Sequence, residues 1–94
     1  MDEEDINRLF VQVASESAVL PDEVREVFSK LVATTLAYRD RMKDEMNTIV
    51  TVADVRQSLD LLVSAMQTGR LPRTGTPLQT DLLKLWLDEL RLYR

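Results

Sequence analysis

A chain of 94 residues has room for one small domain, and 45% apolar residues suffice to give it a packed interior. It has no Cys and no His, which excludes disulfides, thiolate zinc sites and any nucleophile–His pair. The net charge of −4 is uneven: residues 1–27 hold eight acids and two bases, and the rest holds eight acids and ten bases.

These limits set the first expectations. No enzyme, metal or cofactor is expected. Two Gly and three Pro are too few for the many turns of an all-β domain and suit a helical one. The start, Met-Asp-Glu-Glu-Asp, is acidic where a targeting segment would be basic. The longest apolar runs are only a few residues, so no membrane span is expected, and the absence of Cys favours a cytoplasmic setting.

Asp2 to Asp5 reads as a helix start, because acids favour the positive end of a helix dipole. Ile6, Leu9, Phe10, Val13 and Ser17 follow at helical spacing, with Val11 and Ala14 at the margins. This first helix is expected over about 4–19, ending before Pro21.

Leu20-Pro21-Asp22-Glu23 reads as the start of a second and longer helix, since Pro fits the first turn where its missing N–H is not needed. No Pro or Gly interrupts the stretch up to Val50, so one long central helix is expected over about 22–48. Its apolar face reads Val24, Val27, Phe28, Leu31, Thr35, Tyr38, Met42, Met46 and Ile49. Val32 and Leu36 widen that face in the first half; beyond Tyr38 the same row becomes Arg39 and Lys43.

Asn47 to Val50 is the expected corner. Thr51-Val52-Ala53-Asp54 fits a capping box with Asp in the return position, and Val50 can staple to Val55. The third helix, about 52–68, shows Val52, Val55, Leu59, Leu62, Val63 and Met66 on one face, with Arg56, Gln57, Asp60, Ser64 and Gln67 opposite. Gly69 ends it. Residues 69–76 form a linker. Thr76-Pro77-Leu78-Gln79 is a second capping box, opening a last helix over about 77–93. The expected architecture is all-α: a four-helix, bundle-like single domain.

The last helix is the anomaly. Asp81, Lys84, Asp88 and Arg91 form one narrow polar stripe, and Leu or aromatic residues occupy most of the rest. A helix this apolar is normally covered on two sides, which a small domain struggles to provide. It either sits at the centre of the bundle or meets a partner. The exposed alternative would forfeit roughly 1.5–3 kcal/mol for each Leu left in water, which favours a covering partner. Leu83, Trp86, Leu87, Leu90 and Tyr93 are the candidate interface, with Trp86 at its centre. The expected function is a non-enzymatic protein-interaction or assembly subunit of adaptor or inhibitor type, meeting a protein partner or itself as a homo-oligomer. The linker also permits exchange of the last helix between copies. Such chains resemble, by type alone, small interaction proteins of bacteria and their viruses. A membrane-surface role is disfavoured by Asp81, Asp88 and Glu89 on the polar side.

A second expectation is an oligomeric nucleic-acid-binding packaging or regulatory subunit. Its candidate contacts are Arg70 and Arg73 in the linker and Arg39, Arg41 and Lys43 on the second helix. Asp40, Asp44 and Glu45 lie among the latter three, so a solvated face of mixed charge is the simpler reading there.

Overall fold

The computed structural model describes residues 2–16, 22 and 26–91. The described residues form four helices and no strand: α1 (Glu3–Glu16), α2 (Phe28–Met46), α3 (Val52–Thr68) and α4 (Pro77–Arg91). Helix α1 packs on α2 and α3, and α4 packs on α2 and α3, so the four close a ring around one core. The all-helical, bundle-like architecture matches the expectation. Ser17, Leu20, Pro21, Glu23, Val24, Leu92 and Tyr93, which have helical, capping or interface positions in the expectation above, lie outside the described residues, as does the expected end of the first helix at about 19.

Three of the four helix starts use the same device. Asp5 N–H donates to Asp2 Oδ1 at 3.0 Å while Asp2 N–H donates to Asp5 Oδ2 at 3.2 Å. At α3, Asp54 N–H donates to Thr51 Oγ1 at 3.2 Å and Thr51 N–H to Asp54 Oδ2 at 3.1 Å. At α4, Gln79 N–H donates to Thr76 Oγ1 at 3.2 Å and Thr76 N–H to Gln79 Oε1 at 3.1 Å. Each pair satisfies two donors that a helix start otherwise leaves bare. Val50 and Val55 are both buried, as a staple requires.

Helix α2 departs from the expected single long rod. Asp22 and Glu26 are helical, but Val27 is a turn residue at φ −105°, ψ 12°, and α2 proper begins at Phe28. Lys30 and Leu31 N–H groups both reach the Val27 carbonyl at 3.0 Å. Val27 offers no side-chain cap, so the sequence carries no stop or start signal at this point. The 19 residues of α2 span roughly 28 Å. At the other end Asn47 adopts φ 49°, and Thr48 N–H donates to the Met42 carbonyl at 3.0 Å. Asn tolerates that left-handed conformation and ends the helix there, at the expected corner.

The core is built from Ile6, Phe10 and Val13 of α1; Leu31, Val32 and Tyr38 of α2; Val55, Leu59 and Leu62 of α3; and Leu82, Leu83 and Trp86 of α4. The expected apolar face of α2 holds through Tyr38, and Met42 is half-buried. It fails at Met46 and Ile49, which are 64% and 75% exposed. The stripe continues past the point where neighbouring helices can cover it. Val52, expected on the buried face of α3, is likewise 40% exposed at the same corner.

The linker is held in place at Gly75. Its φ of 104° excludes most side chains, and a Cβ there would lie 2.9 Å from Leu61 Cδ1 and 3.2 Å from Gln79 Oε1. Leu61 is buried although it lies outside the expected face of α3.

Candidate interaction surface

The two sides of α4 have different fates. Its polar stripe, Asp81, Lys84, Asp88 and Arg91, is exposed throughout. Trp86 is fully buried, and its ring meets Phe10 edge-on at 5.5 Å; Phe10 in turn meets Phe28 edge-on at 5.2 Å. Trp86 Nε1–H donates to Thr35 Oγ1 at 2.9 Å, and the Thr35 hydroxyl donates to the Leu31 carbonyl at 2.7 Å. A polar relay inside the core thus satisfies the indole N–H, the condition for burying a Trp without penalty. Leu83 is 1% exposed and Leu90 9%. Of the candidate interface on this helix, Trp86 and Leu83 are core residues of the single chain. The expected centre of the interface is therefore turned inward, where Phe10 of α1 and Thr35 of α2 meet it.

What the described residues leave open lies beside it. Leu87 is half-buried and Leu90 sits at the margin of the core. Together with Ala65 and Met66 at the end of α3 and Leu71 in the linker, they line a groove of about 440 Å³. Leu71 is 56% exposed, an apolar side chain held at the surface. Two features shape this concavity. Gly69, at φ 70°, terminates α3 and turns the chain away, with its N–H on the Ala65 carbonyl at 2.8 Å. Thr68 Oγ1 then accepts from Arg70 N–H at 3.2 Å, setting the first linker residues.

Charged groups occupy the rim. Arg70, Lys84 and Arg91 line the groove with Asp88. Asp88 lies 3.9 Å from Arg91, a loose pair between two largely exposed side chains. From the sequence, Leu87 and Leu90 are candidates for a protein interface and Arg70 for a separate nucleic-acid contact, and Ala65, Met66 and Leu71 are not joined to either. The available signal was Leu71, an apolar residue inside the otherwise polar run Arg70 to Gly75.

The remaining cationic candidates are elsewhere. Arg39 bonds Asp40 Oδ1 through Nε at 3.0 Å and Nη2 at 2.9 Å. The Arg41 guanidinium lies 5.4 Å from the centre of the Tyr38 ring. Arg39 and Lys43 border a smaller groove of about 290 Å³ with Asp40, Ile49 and Val50. Arg70 borders the other groove, and Arg73 is exposed in the linker. Arg39 and Lys43 thus line one groove and Arg70 another.

Polar groups at the core margin are satisfied structurally. Ser58, buried in α3, donates to the Gln79 carbonyl at 3.2 Å, and Gln79 Nε2 donates to Asp54 Oδ1 at 3.3 Å. Tyr38 donates to the Leu78 carbonyl at 3.3 Å; burial first, then the charge of Asp81, raises its phenol above the ordinary value. Among the described residues no buried side-chain donor or acceptor lacks a partner, no group of acids gathers to hold a metal ion, and no helix is long and apolar enough to cross a membrane. No protein-family model, curated protein or solved structure matches the chain.

Proposed function

We propose that this chain is a non-enzymatic interaction or assembly subunit that holds a protein partner in the groove between the end of α3, the linker and α4. One observation carries the reading: Leu71, Leu87 and Met66 line a concave, largely apolar surface that the other described residues leave open. An apolar centre with a polar rim is the anatomy of a protein interface. Trp86, Thr35 and Phe10 then act as the rigid backing that holds α4 in position. A rigid surface binds more tightly because less motion is lost on association.

The test compares the wild-type chain with Leu71→Asp in two measurements: solution mass by light scattering across a concentration series, and affinity capture from the native source. Leu71 is exposed, so the variant keeps its fold. A protein, or a second copy, held by the wild type and lost by Leu71→Asp is the expected result. Equal association of both chains would remove the groove from consideration.

A further inference from the structure

The charge around the groove narrows the class of partner, and this step rests on the groove being the interaction surface. The whole chain is acidic, at −4. Around the groove the balance inverts: Arg70, Lys84 and Arg91 stand against Asp88. Asp88 lies 3.9 Å from Arg91, too loose a contact to occupy the guanidinium, so the lining keeps three cations against one carboxylate. Neither Arg70 nor Lys84 forms an ion pair among the described residues. Arg70 and Arg91 lie near helix C-termini, where a cation also answers the dipole. Lys84 lies in the middle of α4 and has no such duty.

Lys84 and Arg91 are seven residues apart on one helix, which places them two turns or about 10 Å from each other. Leu87 lies between them in sequence and lines the same groove. We infer that the groove takes an acidic amphipathic helix, with apolar side chains on Leu71, Leu87 and Met66 and carboxylates about two turns apart facing Lys84 and Arg91. An amphipathic helix laid into an apolar groove is a common recognition mode, and opposite charge on the rims fixes its direction.

The probe is a labelled helical peptide with Leu at two adjacent positions and Glu three residues to either side, read by fluorescence anisotropy against the full chain. Its counterpart carries Lys in place of each Glu. The expected result is binding of the Glu peptide about fivefold to tenfold tighter than the Lys peptide, a preference that fades as salt screens exposed charges. Lys84→Glu should abolish or reverse the preference, and Leu71→Asp should weaken both peptides. Equal binding of the two peptides, with loss of both in Leu71→Asp, would overturn the charge assignment while leaving the groove as the interaction surface. No binding of either peptide would also overturn it, with the capture experiment judging the groove separately. Tighter binding of a short DNA duplex than of the Glu peptide would give the cations to phosphate instead. A concentration-dependent increase in mass that Lys84→Glu removes would make the occupant a second copy.

Discussion

The two apolar sides of α4 are separated by a single residue step and do opposite things. On one side Trp86 is sealed under Phe10 with its N–H bonded to Thr35. On the other, Leu87 is half-covered and opens onto a groove. Both are large apolar residues on the same helix. What separates them is what stands across from them: Phe10 of α1 and Thr35 of α2 close over Trp86, whereas α3 ends at Thr68 and only the linker residues Gly69 to Leu71 continue along the groove beside Leu87. Exposure on this helix is decided by where its neighbour stops.

The sharpest way to break the closed side is to remove its ring. Trp86→Ala should cost about 3–5 kcal/mol, a large part of the total stability of a small domain. Urea denaturation followed by far-UV circular dichroism would show the lowered midpoint. Thr35→Val keeps the shape but strands the indole N–H, and should cost about 1–3 kcal/mol in the same assay. In a Trp86→Phe background that cost should shrink, because the donor is gone; an unchanged cost would show that Thr35 acts by other means.

The linker supplies an intermediate test. Gly75→Ala places a methyl against Leu61 in a backbone conformation that side chains disfavour, and should cost more than about 1 kcal/mol. Gly69 has nothing within 4 Å of its missing Cβ, so Gly69→Ala meets only the conformational penalty and should cost less. On the open side, Leu71→Asp should change stability by no more than about 0.5 kcal/mol. A large destabilisation would mean that Leu71 belongs to the core and that the contrast between the two sides is false.

The smallest expected effect is electrostatic and lies far from both. Asp2 is held below the ordinary carboxylate range first by the Asp5 backbone N–H. Glu16 is held below it first by the Arg56 side chain, at 2.9 Å, and then by Gln12. Groups lowered in the folded state stabilise it above their unfolded pKa, and the contribution is lost as pH falls through the folded value. The stability of α1 should therefore decline below about pH 5. Amide exchange along α1 measures this, and Glu16→Gln should flatten the dependence slightly because both side chains are exposed.

The parts of the fold that could be read in the sequence are those written in local chemistry. Thr51 with Asp54, and Thr76 with Gln79, announce helix starts because donor and acceptor lie at a fixed offset. The break at Val27 has no such chemistry and went unread. Met46 and Ile49 show the other limit: periodicity gives the face of a helix but not how far its cover extends. Ser58 looks like a solvent residue, yet it is buried because its partner, the Gln79 carbonyl, arrives from another helix. For the candidate surface, composition alone marks the last helix as unusually apolar. Its inward and outward sides could not be told apart without knowing that α3 stops short. Leu71 and Met66 join Leu87 only through that geometry.

Trp86 is the chain's sole tryptophan. Its indole touches side chains of both α1 and α2 while riding on α4. The molecule thus carries its one indole fluorophore, selectively excited at the red edge of the absorption band, at the junction of three helices. Its emission should move to longer wavelength only when that junction opens to water. Because the ring is absent from the lining of the groove, a ligand seated there should leave the emission maximum in place. Occupancy and unfolding can therefore be followed as two independent optical signals in one sample, without adding a dye to the core.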